Sequence, residues 1–416
     1  MNDYKLLKEC FKGDSVVWIV YMLFCVISII EVFSAGSSLS FGSGNYLAPI
    51  SNHCLMLAGG VAVAFGVHYI PTKYFRLIPY IGIPTSITLL LTLMLDGMIS
   101  GDRINGASRW IFGFQPSEIG KMALVTWTAY KLARHQEEES CSPTALKPIL
   151  IITGIIVGLI APENGSTALL LLVVIYMMLI IGRIPKWQML KLTGTIILVS
   201  TVAIISLVKV PPSVYKDIPG THRFVTWRNR IIDYMNEEEV PAAKFDIDGK
   251  AQVAHSSIAI ATSHVIGKGP GNSIQRDHLS HGYSDFIYAI TIEEMGLIGG
   301  AFVAMLYLIL LYRVGLIAKR ADKVSSSLLI IGVALLLVCQ ALLHMMVSVG
   351  LFPVTGQPLP LISKGGTSII FNSIYIGIIQ NISRNTEQKS AVTKMETEND
   401  FHSETEGNNK NHVLKE

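Results

Sequence analysis

The sequence predicts an all-α integral membrane protein of about ten transmembrane helices, with a large extracytoplasmic loop between the seventh and eighth spans. Three observations predict it. Of 416 residues, 50% are hydrophobic and 15% charged, whereas soluble domains carry about 25% charged residues. The mean hydropathy is +0.48. Apolar runs close to the roughly 17–25 residues that cross a bilayer recur through most of the chain.

In order, the runs cover residues 16–33, 53–70, 75–95, 117–132, 149–161, 167–181, 190–208, 286–316, 327–351 and 367–382. The fourth is the least apolar, because Glu118 and Lys121 lie inside it. The fifth and sixth are short and are parted by the polar break Pro162-Glu163-Asn164-Gly165-Ser166. Residues 1–14 form a polar N-terminus. The run after them has no small-residue cleavage site, so it reads as a first span rather than a removed signal peptide. The membrane domain then covers 15–384, with the large loop at 211–284. The tail, 385–416, is rich in Glu, Asn, Lys and Thr and lacks apolar periodicity, so it is expected to be disordered. The inverted repeat of many transporters is missing.

Lys and Arg set the orientation. With the N-terminus inside, every short cytoplasmic segment is basic: Lys5, Lys8 and Lys12; Lys73 and Arg76; Lys131 and Arg134; Arg183, Lys186 and Lys191; Lys319, Arg320 and Lys323; Arg384 and Lys389. This is the positive-inside pattern, and it places both termini in the cytoplasm. Arg103, Arg109 and Lys364 are cations left outside. Within the large loop, residues 224–234 mix aromatics and arginines and read as an interfacial helix. The net charge of +3 excludes little, but no basic patch interleaved with aromatics suggests nucleic-acid binding. The five cysteines form no CxxC pair or metal spacing, which argues against a disulfide framework.

Four constellations carry chemistry. Asp285 stands where the polar loop meets an apolar helix. A carboxylate there loses hydration and needs a partner or a task. Its structural role would be a helix N-cap; its functional role would be a base or a metal ligand. Glu293 and Glu294 lie about two turns further on, and at least one should face the bundle interior, paired or protonated. The second set is Arg109 with Glu118 and Lys121. Pro116 and Ser117 mark a helix start, and Glu118 and Lys121 share one face. They form either a self-contained ion pair or, with Arg109, a cationic lining for a diphosphate in an outer polar cavity.

The third set is the stretch 350–368. Its prolines and glycines forbid a continuous helix, so it reads as a re-entrant loop packed on protein. It serves as a structural plug or as a groove wall lined by Ser363 and Lys364. The fourth is the 162–167 break, mostly a turn, with Glu163 as a secondary candidate. The run Gly267-Lys268-Gly269-Pro270-Gly271-Asn272 lacks Walker spacing and reads as a turn.

Residues 105–121, 285–296 and 353–368 together resemble the SEDS family (shape, elongation, division and sporulation), over about 16–383. The phrase Phe11-Lys12-Gly13-Asp14-Ser15-Val16-Val17-Trp18-Ile19 looks more like the division branch than the elongation branch. Two positions depart from the pattern: Lys364 replaces a more usual aromatic, and Glu163 a common Asp. The resemblance implies a peptidoglycan glycosyltransferase that polymerises lipid II into glycan strands during cell division. It would work in the bacterial cytoplasmic membrane, at the septum, with a class B penicillin-binding transpeptidase and other division proteins. It implies that Asp285 is the essential carboxylate and that Arg109, Glu118 and Lys121 belong to the charged set. The chemistry needs no organic cofactor and admits a divalent cation, Mg or Mn, with Asp285 as a ligand. An elongation-type polymerase, a lipid II flippase and a non-catalytic division scaffold are the rival expectations.

Overall fold

The computed structural model describes residues 11–40, 48–99, 115–138, 140–209, 227–229, 232, 251–279 and 282–413. Among these, α-helices dominate and no named strand occurs. They are α1 (Ser15–Ser40), α2 (Ala48–Tyr69), α3 (Leu77–Ile99), α4 (Pro116–Arg134), α5 (Leu146–Ile160), α6 (Gly165–Ile181), α7 (Lys186–Lys209), α8 (Ala251–Ala261), α9 (Ile287–Arg320), α10 (Val324–Ser348) and α11 (Gly366–Val413).

Each expected apolar run lies on one of these helices; α8 is additional, inside the large loop. Among the described residues, seven helices are long and apolar enough to cross a membrane by length and composition, and α6 is a shorter apolar helix. α4 carries Glu118, Lys121, Lys131 and Arg134, and α11 turns polar after its first turns. α11 continues beyond residue 385 to Val413. Extending a formed helix costs far less than starting one. The ion pair of Lys389 with Asp322, 2.8 Å, holds its first polar turns. The 224–234 stretch lies mostly outside the described residues; Trp227, Arg228 and Asn229 within it are helical.

α10 is the central helix, mostly buried between α4, α6, α9 and α11. α2 and α11 pair closely because small residues let their backbones approach. A Cβ on Gly60 would meet Ser373 Oγ at 2.6 Å, and one on Gly377 would meet Ala64 O at 2.7 Å. α7 stands at the rim, none of its residues buried, tied to α6 by the Tyr176–Thr193 hydroxyl contact of 2.7 Å. Asp14 caps α1, accepting from the N–H groups of Val16 (3.0 Å) and Val17 (3.1 Å), and pairs with Arg313 of α9.

The eighth run is not one helix. α9 breaks at Gly296, whose φ of 74° and ψ of −177° are non-helical. The loop before it fills the break. Leu297 and Ile298 donate their N–H groups to His264 O (3.2 Å) and Val265 O (3.3 Å). The freed carbonyls of Glu293 and Glu294 accept from Lys268 N (3.0 Å) and Gly269 N (2.8 Å). Broken backbone at membrane depth survives only when protein satisfies it, and residues 264–269 do so on both sides. Residues 297–320 alone reach about 36 Å, enough to cross about 30 Å of hydrocarbon. The segment 287–295 is thereby free to serve the site.

Candidate active site

Asp285 is half-buried in a turn directly before α9. It is not the N-cap: that position is Phe286, with no side-chain capping bond. Asp285 Oδ1 accepts from Ser284 Oγ at 2.5 Å. The carboxylate's other oxygen makes no hydrogen bond among the described residues. Around it, Tyr283, Phe286 and Ile290 pack against Ala35 of α1, Val347 of α10 and Phe352 and Val354 of the loop 350–365. The apolar neighbours hold the turn while the carboxylate stays at its surface.

That loop grips the turn by three further contacts. Ser363 Oγ donates to Ser284 O at 2.8 Å and accepts from Leu359 N at 2.8 Å. Lys364 N donates to Tyr283 O at 3.1 Å. The Lys364 ammonium sits 5.2 Å from the centroid of the Tyr283 ring. Ser363 is buried, so it is a clamp rather than an exposed groove residue; Lys364 is partly exposed. Behind them Ser28 Oγ donates to Ile362 O at 2.7 Å and Tyr307 OH donates to Pro360 O, anchoring the loop on α1 and α9. Leu361 adopts φ 66°, a left-handed conformation costly for leucine that these bonds hold in place. Ser363→Ala removes a donor and an acceptor at once. We expect a loss of about 1–3 kcal/mol in stability and a larger fall in activity than in Tm, read by thermal denaturation beside a turnover assay.

Pro116 opens α4 at its first turn, as the sequence implies. Lys121 Nζ lies 2.8 Å from Glu118 Oε1 and 3.2 Å from Gln340 Oε1 of α10. Both charged side chains are buried, so Lys121 does not look into an open polar cavity. Two of its three ammonium protons are engaged. Gln340 Nε2 donates to Pro358 O at 2.9 Å. One loop thus touches both centres, reaching Lys121 through Gln340 and Asp285 through Ser284. Glu118 Oε2 is buried without a hydrogen-bond partner among the described residues. Removing one partner of such a pair strands a charge, so Glu118→Gln and Lys121→Met should each cost about 3–5 kcal/mol. The double substitution should recover most of the Tm but no activity. Activity recovering along with Tm would leave the pair purely structural.

Glu293 and Glu294 are both fully buried and both partnered. Glu293 takes Lys268 Nζ at 2.6 Å, Ser273 Oγ at 2.5 Å and the N–H groups of Ile274 (3.2 Å) and Gln275 (3.3 Å). Glu294 takes Gly271 N (3.0 Å), Ser273 N (3.3 Å) and Ser34 Oγ. The glycine turn does cradle anions with its backbone, but the anions are the chain's own carboxylates. This fixes the loop 263–277 beside the Asp285 turn. In the 162–166 break, Asn164 caps α6 by accepting from Thr167 N at 3.2 Å. Gln357 Nε2 donates to Asn164 Oδ1 at 3.2 Å. Glu163 is buried beside them. Arg109 lies outside the described residues. No group of three or more His, Cys, Asp or Glu side chains with metal-holding geometry occurs among the described residues.

Sequence reading missed Gln340, His344, Gln357 and Glu31. Gln340, His344 and Ser348 lie four apart in the ninth run, a polar stripe on one helix face. His344 Nδ1 donates to Gln357 O at 2.7 Å, since a carbonyl only accepts, and its Nε2 is buried without a partner among the described residues. Glu31 on α1 accepts from Thr291 Oγ1 at 3.0 Å.

The re-entrant loop, the Asp285 turn and the charged start of α4 thus meet at one end of the helical bundle. A model of the FtsW/RodA/SpoVE family of cell cycle proteins matches residues 14–388. The chain belongs to this family. It is 30% identical over 394 residues to a protein of Geobacter sulfurreducens named "Probable peptidoglycan glycosyltransferase FtsW", covering 92% of this chain and 98% of the relative. A Nitrosomonas europaea protein of the same name is 28% identical over 374 residues, with coverages of 87% and 90%. The fold is similar to a chain in a solved peptidoglycan synthase complex, described as coordinating polymerization and crosslinking. The TM-score is 0.68 at 21% identity, over 90% of this chain and 99% of that one. It is also similar to the Thermus thermophilus rod shape determining protein RodA, with TM-score 0.58 at 19% identity and coverages of 90% and 97%. These likenesses establish a polytopic helical membrane fold shared across the family.

Proposed function

We propose that this protein is a peptidoglycan glycosyltransferase of the division type, polymerising lipid II into glycan strands at the outer face of the bacterial cytoplasmic membrane. Both termini are then cytoplasmic, and the site of action is the septum. The observation that carries the reading is the single re-entrant loop that holds both the Asp285 turn and, through Gln340, the Glu118–Lys121 pair. A base and a cation held on one scaffold are what a sugar transfer with a diphosphate leaving group requires.

In this reading two lipid-linked diphosphate disaccharides lie with their tails in lipid and their sugars at the Asp285 end. Asp285 takes the proton from the acceptor's 4-hydroxyl as that oxygen attacks the donor's anomeric carbon. The bond from that carbon to the diphosphate breaks, and its electron pair leaves with the diphosphate. Direct displacement inverts the anomeric centre. Arg109 and the partly exposed Lys364 stabilise the developing charge, and the buried Lys121 adds its positive charge from behind the loop. Glu118 orients Lys121. The donor set fits a divalent ion only as such ions bind with phosphates, through one carboxylate plus substrate oxygens. Asp285 would hold it, and its chemistry would be to neutralise the leaving diphosphate.

The expected partner is a class B penicillin-binding transpeptidase, with other division proteins around it. The test is a gel assay of glycan strands from purified lipid II, with and without that transpeptidase. Polymer is expected with the partner present. Lipid II translocated across liposomes with no polymer in either condition would overturn the reading in favour of a flippase.

A further inference from the structure

α4 carries Lys121 near one end and Lys131 and Arg134 at the other, about 15–20 Å further along. There Arg76, Tyr80, Trp127, Tyr130, Lys131 and Arg134 line a cavity of ≈ 460 Å³, with Ser325 of α10 also on its wall. Cations at this end of a membrane protein are ordinary, and so are aromatics at headgroup depth. Four observations separate this cavity from that background. Three cations from two separate segments converge on one space. No salt bridge to a carboxylate is made by Arg76, Lys131 or Arg134 among the described residues; the same holds for other cations such as Lys319 and Arg320, but those do not converge on one cavity. The Trp127 indole N–H is buried with no acceptor among the described residues. The first turn of α10, 25 residues long, opens onto the cavity at Ser325 with no side-chain cap. A helix N-terminus presents free N–H groups and favours an anion.

One of the cations is also held in place. Lys131 Nζ lies 5.6 Å from the centroid of the Trp127 ring. From the cavity mouth, Leu77, Tyr80 and Ile81 of α3 continue as an exposed apolar stripe toward Leu91 and Leu95. Phosphate chemistry at the cavity and an apolar track beside it describe an amphiphile.

We propose that this cavity binds a phosphoryl anion, supplied by the headgroup of an anionic phospholipid whose acyl chains lie along α3. The cavity is separate from the Asp285 end, and its occupancy is read without any polymerisation assay. The experiment uses the full chain in nanodiscs of phosphatidylcholine with or without phosphatidylglycerol. Native mass spectrometry counts the phosphatidylglycerol retained after delipidation, and Tm is followed in parallel. Wild type should retain phosphatidylglycerol, and Arg76→Gln with Arg134→Gln should weaken retention roughly 30-fold. Lys319→Gln with Arg320→Gln, charges removed outside the cavity, should retain it. An equal loss in that control would overturn the site as diffuse attraction. Ser325→Asp guards against misfolding, because an acid in the first turn favours the helix while placing a negative charge in the cavity; it should abolish retention. A third arm adds inorganic phosphate in phosphatidylcholine alone. A Tm rise there that Ser325→Asp removes, without phosphatidylglycerol retention, assigns the site to a soluble phosphoryl ligand. Neither retention nor protection in wild type overturns the proposal.

Discussion

Asp285→Asn removes glycan polymerisation from lipid II while leaving the protein folded. Asn keeps the shape of the side chain and can still meet Ser284 Oγ, 2.5 Å from the carboxylate. It cannot accept a proton. General-base catalysis contributes about 10²–10⁴-fold, so the rate should fall by at least about 100-fold. Tm should move little, because the packing of the turn rests on Tyr283, Phe286 and Ile290 and its hydrogen bonds on Ser284 and Tyr283 backbone. Asp285→Glu should also lose most activity, since Ser363 and Lys364 hold the turn in one place. The assay is glycan length on gels beside a melting curve. Polymer of normal length and rate from Asp285→Asn would remove Asp285 from the chemistry.

Gly296→Ala should have the largest effect on stability. At φ 74° and ψ −177°, Gly296 occupies a region that only glycine populates freely. A Cβ there would run into Val265 O and, at 2.5 and 2.6 Å, Ile266 C and Gly267 N. Those are backbone atoms and cannot rotate away. Strain and overpacking together put the cost at about 3–5 kcal/mol. The wedge 264–269 would then leave the break and strand the carbonyls of Glu293 and Glu294. Gly271→Ala makes the comparison: its φ is +83° but nothing lies within 4 Å of the added carbon. It should cost about 1–2 kcal/mol, from conformation alone. Tm in detergent and the monodisperse fraction on size exclusion read both variants. Equal melting of the two would mean that the break is not held by the wedge. Because the wedge also carries the loop whose N–H groups hold Glu293 and Glu294, Gly296→Ala should lower polymerisation further than its Tm implies.

Much of the fold is legible along the chain. Hydrocarbon tolerates no unpaired backbone groups, so each crossing must announce itself as an unbroken apolar run. The runs at 16–33 and 327–351 sit on α1 and α10 with ends shifted by a few residues. The break at Gly296 was not legible. One glycine leaves hydropathy unchanged, and the chain is helical on either side of it. The stripe Gln340, His344 and Ser348 was visible in spacing but masked by the run's overall hydropathy. In the site, Asp285, Ser363 and Lys364 stood out as polar residues in places that make polarity costly. Their roles separated only in three dimensions: Ser363 turned inward as a clamp, Lys364 stayed partly exposed on Tyr283, and Lys121 was enclosed by Glu118 and Gln340.

The sequence by itself determined that this is a polytopic helical membrane protein, where its helices run, and which few charges it keeps near them. Those properties are local: a span closes its own backbone hydrogen bonds, and a charge beside it is costly wherever the helix packs. Only the tertiary structure decided which of those charges meet. Lys121 and Gln340 are 219 residues apart, and Ser363 and Ser284 are 79 apart. Their pairing depends on how α4, α9 and α10 fit side by side. Between helices in lipid that fit comes from close packing and interhelical hydrogen bonds, which are properties of shape that no single segment encodes.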